Sequence, residues 1–153
     1  MISQEAKCAQ EIRKVLKKEF PKTKFKVIKG YSGVDISWED GIIEDRIYNF
    51  LSDFRRGWFD SMHDIYISDN INKNIIQVDY ISATRTISDK FNKESFNIIK
   101  AHHMDYKDWK NLDDPSYDNG GNNVTPRMTI KRLLKRVGLT NTKEISLKVL
   151  FGY

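Results

Sequence analysis

The three histidines and the acids beside them are the first side chains that could do chemistry. Asp60 and Asp64 flank His63, while His102 and His103 are adjacent in a segment with helical spacing. Successive helical residues point about 100° apart, so two neighbouring histidines would rarely bind one ion. The sequence therefore predicts no metal site.

Recognised catalytic motifs are also missing from the sequence. It lacks the short patterns of phosphate-binding loops, serine hydrolases, zinc proteases and dithiol redox sites. Residues 113–120 have the composition of a calcium loop without its alternating ligands or final Glu. Cys8 is either a small apolar residue on a helix face, which we favour, or an activated thiol. We expect a non-catalytic protein without a cofactor; an enzyme with no recognisable motif is the third alternative.

Composition indicates a folded, soluble chain. Of its 153 residues, 39% are hydrophobic, 12% aromatic and 31% charged, which suits one domain spanning 1–153. The lone cysteine agrees with a reducing compartment. No apolar run approaches the roughly 20 residues of a membrane span, and the start has no hydrophobic signal core. We expect the cytoplasm of a bacterial host.

Charge is unevenly distributed along the chain. Residues 1–30 carry nine basic and three acidic residues, and residues 127–153 carry seven and one, so each end has a net charge of +6. Residues 31–126 carry ten basic and seventeen acidic residues, a net charge of −7. Basic ends of this kind favour a nucleic-acid surface, docking on an acidic protein, or solubility alone.

The first part of the chain has clear local signals. A helix begins after the N-cap Ser3 and ends before Pro21. Alternating residues at 24–28 and 34–38, with a glycine-containing turn between them, predict a β-hairpin.

An acidic junction follows this hairpin, and its carboxylates could be catalytic or structural. Asp40 and Gly41 form a turn signal, and Glu44 and Asp45 lie where the first turn of a helix favours negative charge. The apolar spacing then predicts a helix that ends at Gly57. We favour the structural interpretation.

The second half is predicted to contain two further helices, one capped by Ser88 and one beginning at Thr125. The other expected segments are an aromatic link into a weak strand at 58–67, a strand at 75–82, a polar loop at 105–123 and a strand at 145–151. Together these elements predict an α+β fold: an antiparallel sheet of about four or five strands, with three or four helices mainly on one face.

Two sets of surface residues are candidates for binding. Aromatic and arginine side chains dominate the energetics of protein interfaces. The candidate protein-binding residues are Arg127, Lys131, Arg132, Lys135, Arg136, Trp58, Phe59, Trp109 and Tyr117. Phosphate contacts instead need Lys or Arg side chains along one surface. The candidate nucleic-acid-binding residues are Arg13, Lys14, Lys17, Lys18, Lys24 and Lys26.

Four pieces in a fixed order resemble a known family. They are IRKVLKKEFP at 12–21, KFKV at 24–27, VDISWEDG at 34–41 and FDSMHD at 59–64. Together they resemble the large polyvalent-protein-associated domain that is the twenty-ninth of its series, over about residues 6–90. This chain departs from the family pattern at Ile42 and Ile43, where a Pro-Thr-like helix start is expected. The resemblance brings no catalytic residues with it.

Domains of this family occur in proteins of phages and conjugative elements, so the resemblance implies a mobile-element protein that acts inside a bacterium. With the small size and the missing catalytic motifs, we expect an inhibitor that binds a host defence nuclease, such as a CRISPR effector. Its partner would be a host protein or ribonucleoprotein complex, for example a Cas nuclease. A nonspecific nucleic-acid-binding accessory factor is the alternative.

Overall fold

The computed structural model describes residues 2–102, 110–113, 116–117 and 123–137. It divides the chain into two compact units, one made of Met1–Glu39 with Glu44–Thr86 and the other of Asp40–Ile43 with Ile87–Tyr153. Helices and strands both occur, so the α+β class is confirmed. The single domain spanning 1–153 stays a prediction.

The first unit has eight regular elements. They are α1 (Gln4–Glu19), β1 (Lys26–Lys29), β2 (Gly33–Glu39), α2 (Glu44–Phe50), a 3-10 turn (Ser52–Phe54), β3 (Trp58–Asp60), β4 (Ile65–Ile67) and β5 (Tyr80–Thr86). The second unit contains α3 (Asp89–His102), β6 (Ser116–Tyr117), β7 (Asn123–Val124) and α4 (Pro126–Val137).

The local predictions for α1 and the first hairpin are confirmed. Ser3 caps α1, because its hydroxyl accepts a hydrogen bond from the Ala6 N–H at 3.3 Å. Strands β1 and β2 pair antiparallel, and the Gly30 N–H donates to the Gly33 carbonyl at 2.8 Å across the turn.

The main sheet differs from the antiparallel arrangement that the sequence predicts. Among the described residues it has three strands in the order β1-β2-β5, and β2 pairs parallel with β5. Strands β3 and β4 form a separate two-stranded sheet, as do β6 and β7. The strand expected at 75–82 begins instead at Tyr80, because Gln77 and Val78 are buried against the segment before β3.

One face of this sheet is buried by α1. Ile12 and Leu16 of the helix and Ile36 of β2 are fully buried, and Trp38 of β2 is 3% exposed. Helix α1 packs against both β1 and β2. Four aromatic side chains beside α1 and β2 form a group that we call the core aromatic cluster. The centroids of its neighbouring rings are 5.2 to 6.2 Å apart. Its buried members are Phe20 and Trp38, and its outer members are the half-buried Phe25 and the 37% exposed Phe50.

Helix α2 protects the outer edge of β5. The Tyr48 hydroxyl accepts a hydrogen bond from the Ala83 N–H at 3.0 Å, and the Glu44 carboxylate accepts one from the Arg85 N–H at 2.9 Å. Two backbone donors of an edge strand are therefore occupied by side chains, which discourages pairing with another chain.

The helix predicted to end at Gly57 ends at Phe50 and is followed by the 3-10 turn. Gly57 therefore does not cap a helix, although the sequence predicted that it would. A Cβ atom there would lie 1.8 Å from the Ile67 carbonyl oxygen, so glycine permits the close backbone approach between this position and β4.

In the second unit the predicted helix starts are confirmed. The Ser88 hydroxyl accepts from the Phe91 N–H at 3.1 Å, and Asp40 in turn accepts from the Ser88 N–H at 2.8 Å. Thr125 precedes Pro126 and accepts from the Met128 N–H at 3.4 Å. The strand predicted at 145–151 and most of the loop predicted at 105–123 lie outside the described residues.

Within the part of the chain that the structure describes, no helix combines the length and apolar character needed to cross a membrane.

Candidate functional site

The strongest candidate surface is the hairpin of β3 and β4, which we call the aromatic hairpin. Its strands pair antiparallel from Trp58 opposite Ile67 to Asp60 opposite Ile65. Four large apolar side chains are exposed on it, with relative exposures of 43%, 48%, 89% and 51%. They are Trp58, Phe59, Met62 and Ile65. Because neighbouring residues of a strand point to opposite faces, Trp58 and Ile65 lie on one face of the hairpin and Phe59 lies on the other. Several large exposed apolar side chains on one short hairpin are typical of a binding surface.

The turn of the aromatic hairpin is built by acidic side chains. Asp60 accepts a hydrogen bond from the Met62 N–H at 2.9 Å, and its other oxygen lies 2.7 Å from His63 Nδ1. The contact with His63 and the Met62 N–H bond lower the pKa of Asp60. Asp64 adopts a left-handed conformation, with φ 55°, which Asp tolerates better than most residues. The carboxylates and the histidine of the FDSMHD sequence thus fix a turn.

The base of the aromatic hairpin is also fixed. The Trp58 indole Nε1–H donates to Asp69 at 3.0 Å, and the Asn70 amide donates to the carbonyl oxygens of Ser52 and Arg55 at 3.1 and 3.0 Å. These bonds hold the exposed rings on a defined backbone, so little conformational entropy is left to lose on binding.

A buried amide connects this base to its surroundings. The Gln77 side chain is 3% exposed and donates to the carbonyl oxygens of Asp53 and Asn70 at 2.7 and 2.8 Å. Its oxygen accepts from the Asn72 N–H at 2.8 Å. The amide is satisfied on both sides, as a buried polar group requires.

Two of the four aromatic residues predicted as binding residues, Trp58 and Phe59, lie on this hairpin. Sequence reasoning missed the exposed side chains of Met62 at the turn and Ile65 on β4. The Asp-x-x-His-Asp pattern of the turn could have identified Met62, because it places that residue at an exposed tip between two strands.

The predicted residues of α4 are in different situations. Arg127 is paired within the second unit, with Asp89 at 2.7 Å and Asp113 at 3.0 Å, and these carboxylates raise the pKa of its guanidinium. Lys131 and Arg132 are exposed. Four further candidates fall where no side chain is described: Lys135 and Arg136 in α4, Tyr117 in β6, and Trp109 outside the described residues.

Of the predicted nucleic-acid residues, three line one cleft of about 370 Å³ between α1 and the segment leading into β1. They are Arg13, Lys17 and Lys24, and we call this the basic cleft. The Arg13 guanidinium also donates to the Val27 carbonyl at 2.6 Å. The other three, Lys14, Lys18 and Lys26, are exposed outside the cleft.

Groups suited to metal or thiol chemistry are sparse in the described part of the chain. There, no three His, Cys, Asp or Glu side chains form a group that could hold a metal ion. Burial raises the pKa of Cys8 to about 11, so its thiol stays protonated at neutral pH. The absence of cofactors and catalysis stays a prediction.

Comparison with known proteins identifies a family for this architecture. No curated protein and no solved structure matches the chain. A family model described as large polyvalent protein associated domain 29 matches residues 3–88, which are nearly the same residues as the first unit with its sheet and aromatic hairpin. Because the match covers more than half of the sequence, the chain belongs to the large polyvalent protein associated domain 29 family.

Proposed function

We propose that this chain is a non-catalytic protein of a phage or conjugative element, which binds and inhibits a defence nuclease in the cytoplasm of its bacterial host. The observation that carries the proposal is the aromatic hairpin. Trp58 and Phe59 are exposed, yet their strand is paired with β4. Hydrogen bonds also fix the turn after them and hold the Trp58 indole on Asp69. Preorganised aromatic side chains are the commonest strong contributors to binding.

The charge around the aromatic hairpin supports a partner that itself binds nucleic acid. Residues 58–69, which form the hairpin and the segment after it, carry three carboxylates (Asp60, Asp64 and Asp69) and no Lys or Arg. Nucleases and CRISPR effectors bind phosphates through Lys and Arg side chains. An acidic surface with apolar anchors is complementary to such a site and would compete with nucleic acid for it.

The test is a pull-down of tagged protein from a bacterial lysate containing candidate defence complexes, with and without nuclease treatment, followed by cleavage assays on each retained complex. We expect a defence nuclease to be retained after the treatment and its cleavage to be inhibited. Combining Trp58→Ala with Phe59→Ala should weaken inhibition at least about 30-fold, because a single interface aromatic often contributes roughly 2 kcal/mol.

A matched control is the combination of Ile28→Ala and Ile71→Ala, which removes two exposed apolar side chains that lie outside the aromatic hairpin. This variant should inhibit as well as the natural sequence. If the Trp58 and Phe59 variant inhibits as well as the natural sequence, the binding surface lies elsewhere on the protein. Retention of nucleic acid alone, lost on nuclease treatment, would contradict the inhibitor proposal.

The second candidate function is nonspecific nucleic-acid binding, and the basic cleft favours it. Arg13, Lys17 and Lys24 line one opening together with the Phe25 ring, which combines phosphate-binding charge with a stacking surface. An affinity carried by phosphate contacts falls steeply as salt concentration rises, because counterions are released on binding.

This alternative is tested by titrating single-stranded DNA at several salt concentrations. Combining Lys17→Glu with Lys24→Glu should lower the slope of log affinity against log salt by at least about one. The control combines Lys14→Glu with Lys18→Glu, which makes the same charge change outside the cleft. Equal effects of the two variants would exclude a specific role for the basic cleft, and salt-independent binding would exclude this function.

A further inference from the structure

A second cleft, of about 410 Å³, opens beside the β1–β2 turn, and three tyrosines and one carboxylate contribute to its lining. These residues are Tyr31, Tyr48, Tyr80 and Asp35, and we call the opening the tyrosine cleft. All four side chains are exposed, and Tyr31 at the turn is 102% exposed. A fully exposed aromatic beside two others is an unusual use of apolar surface in a folded domain.

Two of the three rings are held in place by the fold. Tyr80 makes an edge-to-face contact with Tyr66, whose ring centroid is 5.2 Å away, and the Tyr66 hydroxyl donates to the Asp79 carbonyl at 2.6 Å. Tyr48 is anchored by its bond to the Ala83 N–H at 3.0 Å. The walls of the tyrosine cleft are therefore preorganised.

Asp35 supplies the negative charge of this cleft. It alternates with the buried residues of β2 and lies opposite Ile28 of β1 and Ser82 of β5 on the exposed face of the sheet. A methyl group at Gly30 would lie 3.4 Å from its Oδ2 atom, so the carboxylate is beside the turn that carries Tyr31. In the described part of the chain, no Lys or Arg forms an ion pair with Asp35, and none lines the cleft.

We propose that the tyrosine cleft binds the guanidinium group of an arginine side chain presented by a partner protein. The faces of tyrosine rings attract cations, and a planar guanidinium stacks on them while donating two N–H bonds to one carboxylate. The Asp35 carboxylate would repel an anionic ligand, and a neutral ligand would not neutralise its charge. The proposal does not require the aromatic hairpin to bind a partner, because no residue of that hairpin lines the cleft. The one contact between them is Tyr66 of β4, which packs against the Tyr80 ring.

The experiment is a titration of isotope-labelled protein, followed by NMR, with the peptide acetyl-Gly-Arg-Gly-amide. Control peptides carry citrulline, which has nearly the shape of arginine without its charge, or lysine in place of arginine. We expect shifts at the amides of Ser32, Gly33 and Ser82, which line the cleft. The arginine peptide should bind at least about tenfold more tightly than the citrulline peptide.

Variants of the cleft sharpen the test. Asp35→Asn should weaken arginine binding about tenfold, and Tyr31→Ala about two- to fivefold. Glu39→Gln is the matched control, because Glu39 is an exposed carboxylate on the same strand that does not line the cleft. Trp58→Ala on the aromatic hairpin should also leave the affinity unchanged. The amide spectrum of each variant checks that it is folded.

Several outcomes would overturn the proposal. Equal affinity for the arginine and citrulline peptides would show that charge does not contribute to binding. Equal affinity for the arginine and lysine peptides would show that the cleft does not recognise the guanidinium group. Shifts that map away from the cleft, or an unchanged affinity in Asp35→Asn, would show that the peptide binds elsewhere.

Discussion

Two groups of aromatic side chains in the first unit differ in what covers them. In the core aromatic cluster, the Trp38 ring is buried, and its centroid is 5.5 Å from that of Phe25. In the aromatic hairpin, the Trp58 ring is exposed and its indole N–H bonds to Asp69. Both tryptophans lie on β-strands, so neither residue type nor secondary structure separates them. The difference is that α1 packs over β2, whereas β3 and β4 pair only with each other among the described strands.

The consequence is a division between stability and recognition. Apolar area that is buried stabilises the fold by about 25 cal/mol per Å², and an exposed ring contributes little of this until a partner covers it. We therefore expect substitutions of Phe20 and Trp38, the buried rings of the core aromatic cluster, to affect folding. Substitutions in the aromatic hairpin should instead affect binding.

The largest expected effect tests this contrast directly. Trp38→Ala should lower the free energy of unfolding by about 3–5 kcal/mol, because it leaves a cavity in the core. Trp58→Ala should change it by less than about 1 kcal/mol, because the ring is already in contact with water. Urea denaturation of both variants measures the two free energies of unfolding. Similar losses of stability in the two variants would contradict the distinction between the buried and the exposed tryptophan.

A smaller effect is expected from Gly57→Ala, which tests whether the aromatic hairpin depends on close backbone approach. The new Cβ would overlap the Ile67 carbonyl oxygen, and relieving that overlap should cost about 1–3 kcal/mol. Hydrogen exchange at the β3 and β4 amides should accelerate. Gly30→Ala is the control, since its Cβ meets neighbours at ordinary contact distances; equal acceleration there would contradict the explanation.

Asp69→Ala should affect the aromatic hairpin without affecting global stability. Removing the acceptor of the Trp58 indole N–H should shift that proton's NMR resonance and speed its exchange with water. The free energy of unfolding should stay within about 0.5 kcal/mol, as for most surface substitutions. An unshifted indole resonance would mean that the bond does not form in solution.

The smallest effect concerns the hairpin turn. His63→Ala should raise the pKa of Asp60 towards its ordinary value, because the histidine contact is the main cause of its lowering. A carboxyl whose folded-state pKa is lowered stabilises the turn above its ordinary pKa and loses that contribution as the pH falls through the lowered value. NMR titration of the Asp60 side chain measures the shift. Asp113, whose pKa is lowered by Arg127, should titrate unchanged.

Local signals in the sequence correctly predicted several elements. Ser3, Ser88 and Thr125 cap the helices expected of them, because a capping hydroxyl binds an N–H only three residues away. The β1–β2 hairpin is confirmed for the same reason, since its turn and alternation are short-range features. In the acidic junction, Asp40 and Glu44 bond to backbone N–H groups, which agrees with the structural interpretation.

The candidate sites were less predictable. Trp58 and Phe59 were chosen from residue type, whereas their exposure depends on which strands pair and which helix covers them. Arg127 looked equivalent to Lys131 in the sequence, but it is paired with two aspartates that are 14 and 38 residues away. The tyrosine cleft combines residues from β1–β2, α2 and β5, and no local pattern connects them.

The sequence by itself determined the helix starts, the first hairpin and the family, because these depend on neighbouring residues and on motif order. Only the tertiary structure decided the parallel pairing of β2 with β5, the role of Gly57 and the exposure of the aromatic hairpin. These features depend on contacts between residues far apart in the chain, such as Val34 opposite Ile81. Their free energy comes from packing and backbone pairing in three dimensions, which local propensity does not specify.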